Sequence, residues 1–243
     1  MKQKRREFLR VVGAAAVVAA VGSGSSSARG AAAEDGEIKI GVVGSGRVGG
    51  TLGSVWIHAG HQVMFSSRHL ENDRKLAADL GPKAFAGTPQ QTAAFGEVLL
   101  ISVPYGALPD VGRSLGDLLR GKVVIDTCNP FVSRDGEIAK RALDQGAGQV
   151  SAELLPGARI VRAFNAIGYT RMGRAHERPG EVGMPIAGDD PEAIELASRL
   201  IRDIGYDPVL IGGLAMGKYL MPGTPLAGEH TPEEIRRISA TLE

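Results

Sequence analysis

The sequence predicts an α/β protein built on a doubly wound, mostly parallel sheet, with helices on both faces and a short C-terminal extension. Three observations carry that expectation. Short β-branched runs alternate with helical stretches along the body of the chain. Two of the runs, residues 97–103 (EVLLISV) and 122–126 (KVVID), are apolar almost throughout, as strands buried on both faces of a parallel sheet are. A glycine-rich turn joins the first strand to the first helix.

The elements follow in order. Residues 37–43 (EIKIGVV) read as the first strand and about 47–59 as a helix. Residues 62–66 (QVMFS) read as the second strand, and 70–80 as a helix stopped by Gly81-Pro82. After the strand at 97–103, residues 107–119 have helical spacing, and the strand at 122–126 follows. Residues 160–163 and 184–187 read as two further strands. Residues 191–204 form a helix with Pro191 in its first turn, Asp189 or Asp190 as its cap and Gly205 at its end. A late strand at 208–211 and a helix at 232–242 after Thr231 complete the pattern.

Composition bounds the function. Hydrophobic residues make up 43% and charged residues 23% of the 243, close to an average globular domain. The 34 Gly and 13 Pro exclude a long coiled coil. No stretch of about 18 uninterrupted apolar residues is present, which excludes a multi-span membrane protein. The first 33 residues hold six bases and one acid, which leaves 22 bases against 26 acids and a net charge of −4 for the rest. Such a body has no electrostatic footprint for nucleic acid or an anionic membrane. The one cysteine, Cys128, excludes an internal disulfide.

Residues 1–33 read as an address. A basic start is followed by a short Ala-rich apolar stretch at 11–21, a polar break, and Ala31-Ala32-Ala33 as an A-x-A cleavage site. Lys4-Arg5-Arg6-Glu7-Phe8-Leu9-Arg10 resembles the bacterial twin-arginine signal, with Lys4 where Ser or Thr is usual and Arg10 for Lys. The resemblance implies export to the periplasm as a folded protein, often with a cofactor bound. The expected organisation is a signal at 1–33, a dinucleotide-binding domain at 34–212 and an extension with a helix at 213–243.

The first turn reads Gly44-Ser45-Gly46-Arg47-Val48-Gly49, a G-x-G-x-x-G that follows a strand and opens a helix. Gly44 permits the tight turn, Gly46 lets backbone approach a pyrophosphate, and Gly49 lets helix and strand pack closely. The helix N-terminus offers free N–H groups and a positive dipole end to the anion. This is the fingerprint of a Rossmann-type NAD(P)-binding fold. In NAD sites an acid about 20 residues on binds the ribose 2′-OH. Here that region reads Ser66-Ser67-Arg68-His69, with no acid. Ser67 supplies a hydroxyl and Arg68 a permanent charge for a 2′-phosphate, so NADP(H) is the expected cofactor.

From residue 37 to about 221 the chain resembles the NADP oxidoreductases that use the deazaflavin coenzyme F-420. The resemblance is carried by the 44–49 loop, Ser67-Arg68, Ser102-Val103-Pro104, Asp126-Thr127-Cys128-Asn129-Pro130, Arg162-Ala163-Phe164-Asn165 and Ala187-Gly188-Asp189-Asp190. Asp207-Pro208-Val209, Gly212-Gly213-Leu214 and Tyr219-Leu220 also fit. It implies that the loop and the Ser-Arg pair hold NADP, and that Val103, Pro104, Asn165 and Ala166 line the nicotinamide side. It implies hydride transfer between NADPH and a deazaflavin-like or flavin-like acceptor. The place of a phosphate-binding lysine falls nearer Asn72, with Arg74 and Lys75 close by, and the C-terminal end is shorter than in some members.

Other side chains are given roles beside that reading. Tyr105 is either a ring-stacking group or pocket wall. Cys128 reads as a buried small residue rather than a catalytic thiol. Arg162, Lys218 and Arg171 read as solvated, with an anionic substrate as the other reading. Glu71, Asp73 and Asp79 read as surface charge. None of the five histidines has a partner at zinc spacing, and the G-x-S-x-G hydrolase elbow does not occur. No residue is assigned as catalytic. Two readings stay open: an NADP(H)-dependent reductase, as a monomer or homodimer, and a non-catalytic NADP(H)-binding redox sensor or partner protein. An imine or β-hydroxy acid reductase would need a large helical domain after the sheet, and too few residues follow 212 for one.

Overall fold

The computed structural model describes residues 36–242. The expected export signal, its expected cleavage site and Glu34-Asp35 lie outside the described residues. In chain order the elements are β1 (Lys39–Val43), α1 (Arg47–His58), β2 (Gln62–Ser66), α2 (Leu70–Leu80), β3 (Ala84–Ala86), α3 (Pro89–Phe95), β4 (Val98–Ile101), α4 (Leu108–Leu115) and β5 (Val123–Asp126). There follow α5 (Val132–Asp135), α6 (Glu137–Gln145), α7 (Ala147–Leu154), β6 (Arg159–Arg162), α8 (Tyr169–Met172), β7 (Gly183–Gly188), α9 (Pro191–Asp203), β8 (Asp207–Leu210) and α10 (Pro232–Ser239).

The sheet has eight strands in the order β3-β2-β1-β4-β5-β6-β7-β8. The first six pair in parallel; β7 meets β6 antiparallel, and β8 pairs with β7 in parallel. Strand order therefore reverses between β1 and β4, which opens a crevice at their carboxyl ends. The period of two along each strand divides the core into two layers. Ile40, Val42, Val98 and Leu100 face Leu52 and Trp56 of α1 and Leu200 of α9. Val43, Leu99 and Ile101 face Leu108 and Leu115 of α4 and Val150 of α7. Trp56 is anchored by Nε1–H to the Leu200 carbonyl at 2.8 Å, which ties α1 to α9. A third cluster joins Ala187 and Val209 to Leu220, Leu226 and Ile235, so the C-terminal residues pack against β7 and β8.

Several elements differ from expectation. The helix expected at 107–119 is α4 flanked by 3-10 turns at Tyr105–Ala107 and Gly116–Leu119. Gly116, at φ +48°, ends the α-helical part. The final helix stops at Ser239 rather than 242. β3, α3 and the helices α5 to α8 had no counterpart in the sequence reading. For α3 the signal was present: Thr88 and Gln91 form a reciprocal capping box, with Pro89 at the first helical position.

His61 ties the start of β1 to the end of α9. The Ile38 N–H donates to Nδ1 at 3.2 Å, so Nε2 carries the proton and donates to Asp203 at 3.0 Å. Burial, opposed by the Asp203 charge, lowers the pKa of the ring below its ordinary value near 6.5. A depressed histidine pKa means that the fold favours the neutral ring. Its contribution is complete above pH 6.5 and is lost as pH falls toward the lowered value. The Tm advantage of the wild type over His61→Ala should therefore be largest above pH 6.5 and shrink in thermal melts at lower pH. An advantage that stays constant across that range would refute the assignment.

Candidate functional site: a dinucleotide crevice

The loop after β1 owes its shape to two glycines and its opening to a third. Gly44 has φ +101°, and a Cβ there would lie 2.2 Å from the Ser102 carbonyl oxygen. A Cβ on Gly49 would lie 2.1 Å from the Gly44 carbonyl oxygen. Nothing lies within 4 Å of a Cβ on Gly46, which faces open space. The Gly44 and Ser45 N–H groups both donate to the Ser66 carbonyl, at 2.8 and 3.1 Å, which binds the loop to the end of β2. The N–H groups of Gly46, Arg47 and Val48 begin α1, where a helix has no acceptors of its own for them. They are the groups left for an anion.

A crevice of about 570 Å³ runs over this loop. Gly44, Ser45, Gly46, Ser67, Arg68, Asn72, Val103 and Pro104 line it. Arg68 is exposed and has no ion-pair partner among the described residues. Arg47 and Val48 do not line this crevice. Arg47 lies over the Tyr169 ring at 5.3 Å, and Val48 packs on the core, so Val48 has only backbone to offer. Asp73, expected as surface charge, is 1% exposed. Its carboxylate accepts the hydroxyls of Ser45 and Ser67, the latter at 2.8 and 3.0 Å. The expectation failed because the polar pattern of α2 does not show which of its acids points under the loop.

The carboxyl ends of β4, β5 and β6 form the other part of the site. Val103 and Pro104 lie in the crevice; Asn165 and Ala166 lie outside its lining. Asn165 is 2% exposed, and neither atom of its side-chain amide has a hydrogen-bond partner. Its carbonyl accepts from Asn129 Nδ2 at 2.7 Å, and the Ala166 carbonyl accepts from the Gly228 N–H at 2.8 Å. Phe164 sits at φ +64°, a conformation costly for an aromatic residue, between Trp56 and Tyr206 in edge-to-face contacts.

The expected solvation of Arg162 is corrected. It is fully buried and donates to Asp126 at 2.6 Å and to the Cys128 carbonyl at 3.2 Å. Lys218 is exposed and lies over the Tyr219 ring, and Arg171 pairs with Glu229 at 3.3 Å. Tyr105 is buried and donates its hydroxyl to the Ala147 carbonyl at 2.6 Å, so it is core and not a stacking surface. Burial raises its pKa further. Burial likewise pushes the Cys128 thiol well up, which keeps it protonated and unreactive. Among the described residues no group of His, Cys, Asp or Glu is placed to hold a metal ion, and no helix is long and apolar enough to cross a membrane.

Residues 39–130 match the family described as NADP oxidoreductase, coenzyme F420-dependent. An F420-dependent NADP reductase of Methanothermobacter thermautotrophicus is 30% identical over 203 residues, covering 78% of this chain and 87% of that protein. The chain belongs to this family of coenzyme F420-dependent NADP oxidoreductases. It is an NADP-dependent oxidoreductase. The metalloreductase STEAP3 of Rattus norvegicus is 28% identical over 183 residues, which are 74% of this chain but 35% of that protein. Among solved structures, a hypothetical protein of Sinorhizobium meliloti has a TM-score of 0.68 at 23% identity, covering 79% of this chain and 93% of that one. A putative F420-dependent NADP reductase of Arthrobacter has a TM-score of 0.63 at 19% identity, covering 74% and 87%. Both share the fold.

The residues present fit the family's dinucleotide. A cradle that a Cβ would fill lies over Gly46, and the guanidinium of Arg68, with no ion-pair partner among the described residues, stands on the crevice wall. The three glycines predict different failures. Gly46→Val should keep the wild-type Tm and lose binding of both NADPH and NADH, since the added atoms meet only the ligand's space. Gly49→Val should fail to fold, or melt far lower, since its Cβ strikes the loop backbone. Calorimetric titration and thermal melts of the two variants separate these outcomes. NADPH binding retained by Gly46→Val would remove the pyrophosphate from this loop.

Proposed function

We propose that the protein transfers hydride between NADPH and a deazaflavin-like or flavin-like acceptor at the carboxyl ends of β4 to β6. Residues 34–212 carry the NADP site, and 213–243 are its extension. The observation that supports this best is the state of the ionisable side chains at that end. Tyr105 is bonded to backbone, Cys128 is a buried thiol, and Asp126 is paired with Arg162. None of these three is free to give or take a proton, and Asp110, which also lines the crevice, is paired with Arg113. Hydride exchange between two ring systems needs none from the protein, whose task is position and electrostatics. NADPH, the oxidised acceptor and a solvent proton give NADP⁺ and the reduced acceptor. When bound, the nicotinamide supplies the hydride. The chain's own residues hold the pyrophosphate on the N-terminus of α1, and Val103 and Pro104 wall the ring side. Asn165 is buried outside the crevice lining, and its carbonyl holds the Asn129 amide in place.

Arg68, exposed on the crevice wall and without an ion-pair partner among the described residues, supports NADPH over NADH. Arg68→Ala should weaken NADPH by about 1–3 kcal/mol, the range for a charged hydrogen bond, and barely change NADH. Equal losses would sink the 2′-phosphate assignment. The acceptor is tested by following NADPH oxidation with the deazaflavin coenzyme and with free flavins. Turnover with a ring acceptor supports the reading. Tight NADPH binding without turnover on any of them would favour the redox-sensor alternative.

The twin-arginine reading of residues 1–33 adds a localisation to the proposal: a periplasmic reductase that leaves the cytoplasm folded with its cofactor bound. Cell fractionation of the full chain and of an Arg5→Lys, Arg6→Lys variant tests it, since loss of both arginines should retain the protein in the cytoplasm.

A further inference from the structure

Asp73 decides what the serine at the ribose end can do. A serine hydroxyl has one proton to donate. The Ser67 hydroxyl gives that proton to Asp73, at 2.8 and 3.0 Å from the two carboxylate oxygens, and accepts the His69 N–H at 3.1 Å. What remains toward the crevice is a lone pair. Ser45 is held the same way, its hydroxyl donating to Oδ1 of the same carboxylate. Asp73 has no ion-pair partner among the described residues, so these two hydroxyls and the N-terminal end of α2 are what stabilise its charge.

A 2′-phosphate at neutral pH carries acceptor oxygens and negative charge. A ribose hydroxyl is a donor. The lone pair of Ser67 suits the ribose hydroxyl and opposes the phosphate, whereas the unpaired guanidinium of Arg68 suits the phosphate. We propose that Asp73 is a specificity-determining positioning residue: it locks Ser67 as an acceptor for a ribose hydroxyl and leaves the 2′-phosphate to Arg68 rather than to Ser67. The Ser-Arg pair is thereby divided into one group that recognises the ribose of either cofactor and one that recognises the phosphate. Asp73 also links the pyrophosphate loop to the ribose end, because one carboxylate holds a serine from each.

The inference rests on the NADPH reading, and the experiment separates the two. NADPH and NADH are titrated calorimetrically into the full chain and into Ser67→Ala, Asp73→Asn and Arg68→Ala. Ser67→Ala should weaken both cofactors by a similar factor, about five-fold, the size of one neutral hydrogen bond. Asp73→Asn keeps the shape, removes the charge and frees one serine proton to turn toward the ligand. It should raise the ratio of NADPH to NADH affinity by about five- to ten-fold. A merely structural role for Asp73 predicts equal losses for both cofactors and an unchanged ratio, and that result would overturn the proposal. So would a Ser67→Ala loss confined to NADPH, which would make Ser67 a phosphate donor. If Arg68→Ala leaves the ratio unchanged, the phosphate site itself has been misplaced and both readings fall. Should Asp73→Asn not fold, the Ser67→Ala arm decides alone.

Discussion

The buried pair of Arg162 and Asp126 is the constraint on which the carboxyl ends of β5 and β6 depend. The two residues are register partners at the ends of β6 and β5, and both side chains are fully buried. Removing one partner of such a pair strands a charge in the interior, at a cost of about 3–5 kcal/mol. Replacing both members of such a pair by well-packed apolar residues is often neutral for stability, so stability alone does not explain the pair. Its geometry does. The guanidinium donates to the Cys128 carbonyl and reaches Asn129 Oδ1 at 3.5 Å, while Asp126 accepts the Cys128 N–H at 2.8 Å. Asn129 in turn donates to the Asn165 carbonyl. The loops after β5 and β6 are thus held by one ion pair. Gly148 of α7 and Gly217 of the 3-10 turn at Leu214–Tyr219 close on the arginine stem, where a Cβ would come within 2.9 and 2.6 Å of Cδ. The C-terminal residues are therefore part of the site's scaffold.

The dinucleotide half has its own constraint, and the two halves meet at β4. Gly44 is pressed against the Ser102 carbonyl, and the Ser102 N–H donates to Val43 at 2.9 Å. A shift of the loop after β1 therefore moves the start of the Val103-Pro104 wall. Hydride transfer is sensitive to separations of about 1 Å. Rigid coupling between the glycine loop and the Val103-Pro104 wall is the property that the proposed chemistry rewards.

Much of this was legible in the sequence because it depends on near neighbours. β2 and α2 fall at their expected bounds, since β-branched runs, Gly81 and the period of the apolar residues are local signals. The glycine loop was legible because strand, turn and helix occur in one short stretch. The short or glycine-bearing elements were not. β3 has three residues, and α7 carries Gly148 for the sake of Arg162 rather than for helix formation. The reversal of β7 follows from a connection that turns at Phe164 and packs α8 on α1, and neither step has a local signal.

The two charged residues that were misread, Asp73 and Arg162, share a cause. Each is polar by type and buried by virtue of at least one partner far away: Ser45 lies 28 residues from Asp73, though Ser67 is only 6 away, and Asp126 lies 36 from Arg162. A sequence places a charged side chain on the surface by default because burial without partners costs several kcal/mol. That default fails where function gathers partners from separate strand ends. In an open α/β sheet those ends converge on the cofactor crevice, so buried charges there are expected to belong to the site. Strand register was the missing signal: with β5 and β6 in parallel, an acid and a base that end adjacent apolar strands fall opposite each other. Reading strand-terminal charges in pairs rather than singly would have found Arg162. Asp73 would still have escaped, because it is a helix residue whose partners are hydroxyls, and no charge pattern announces them.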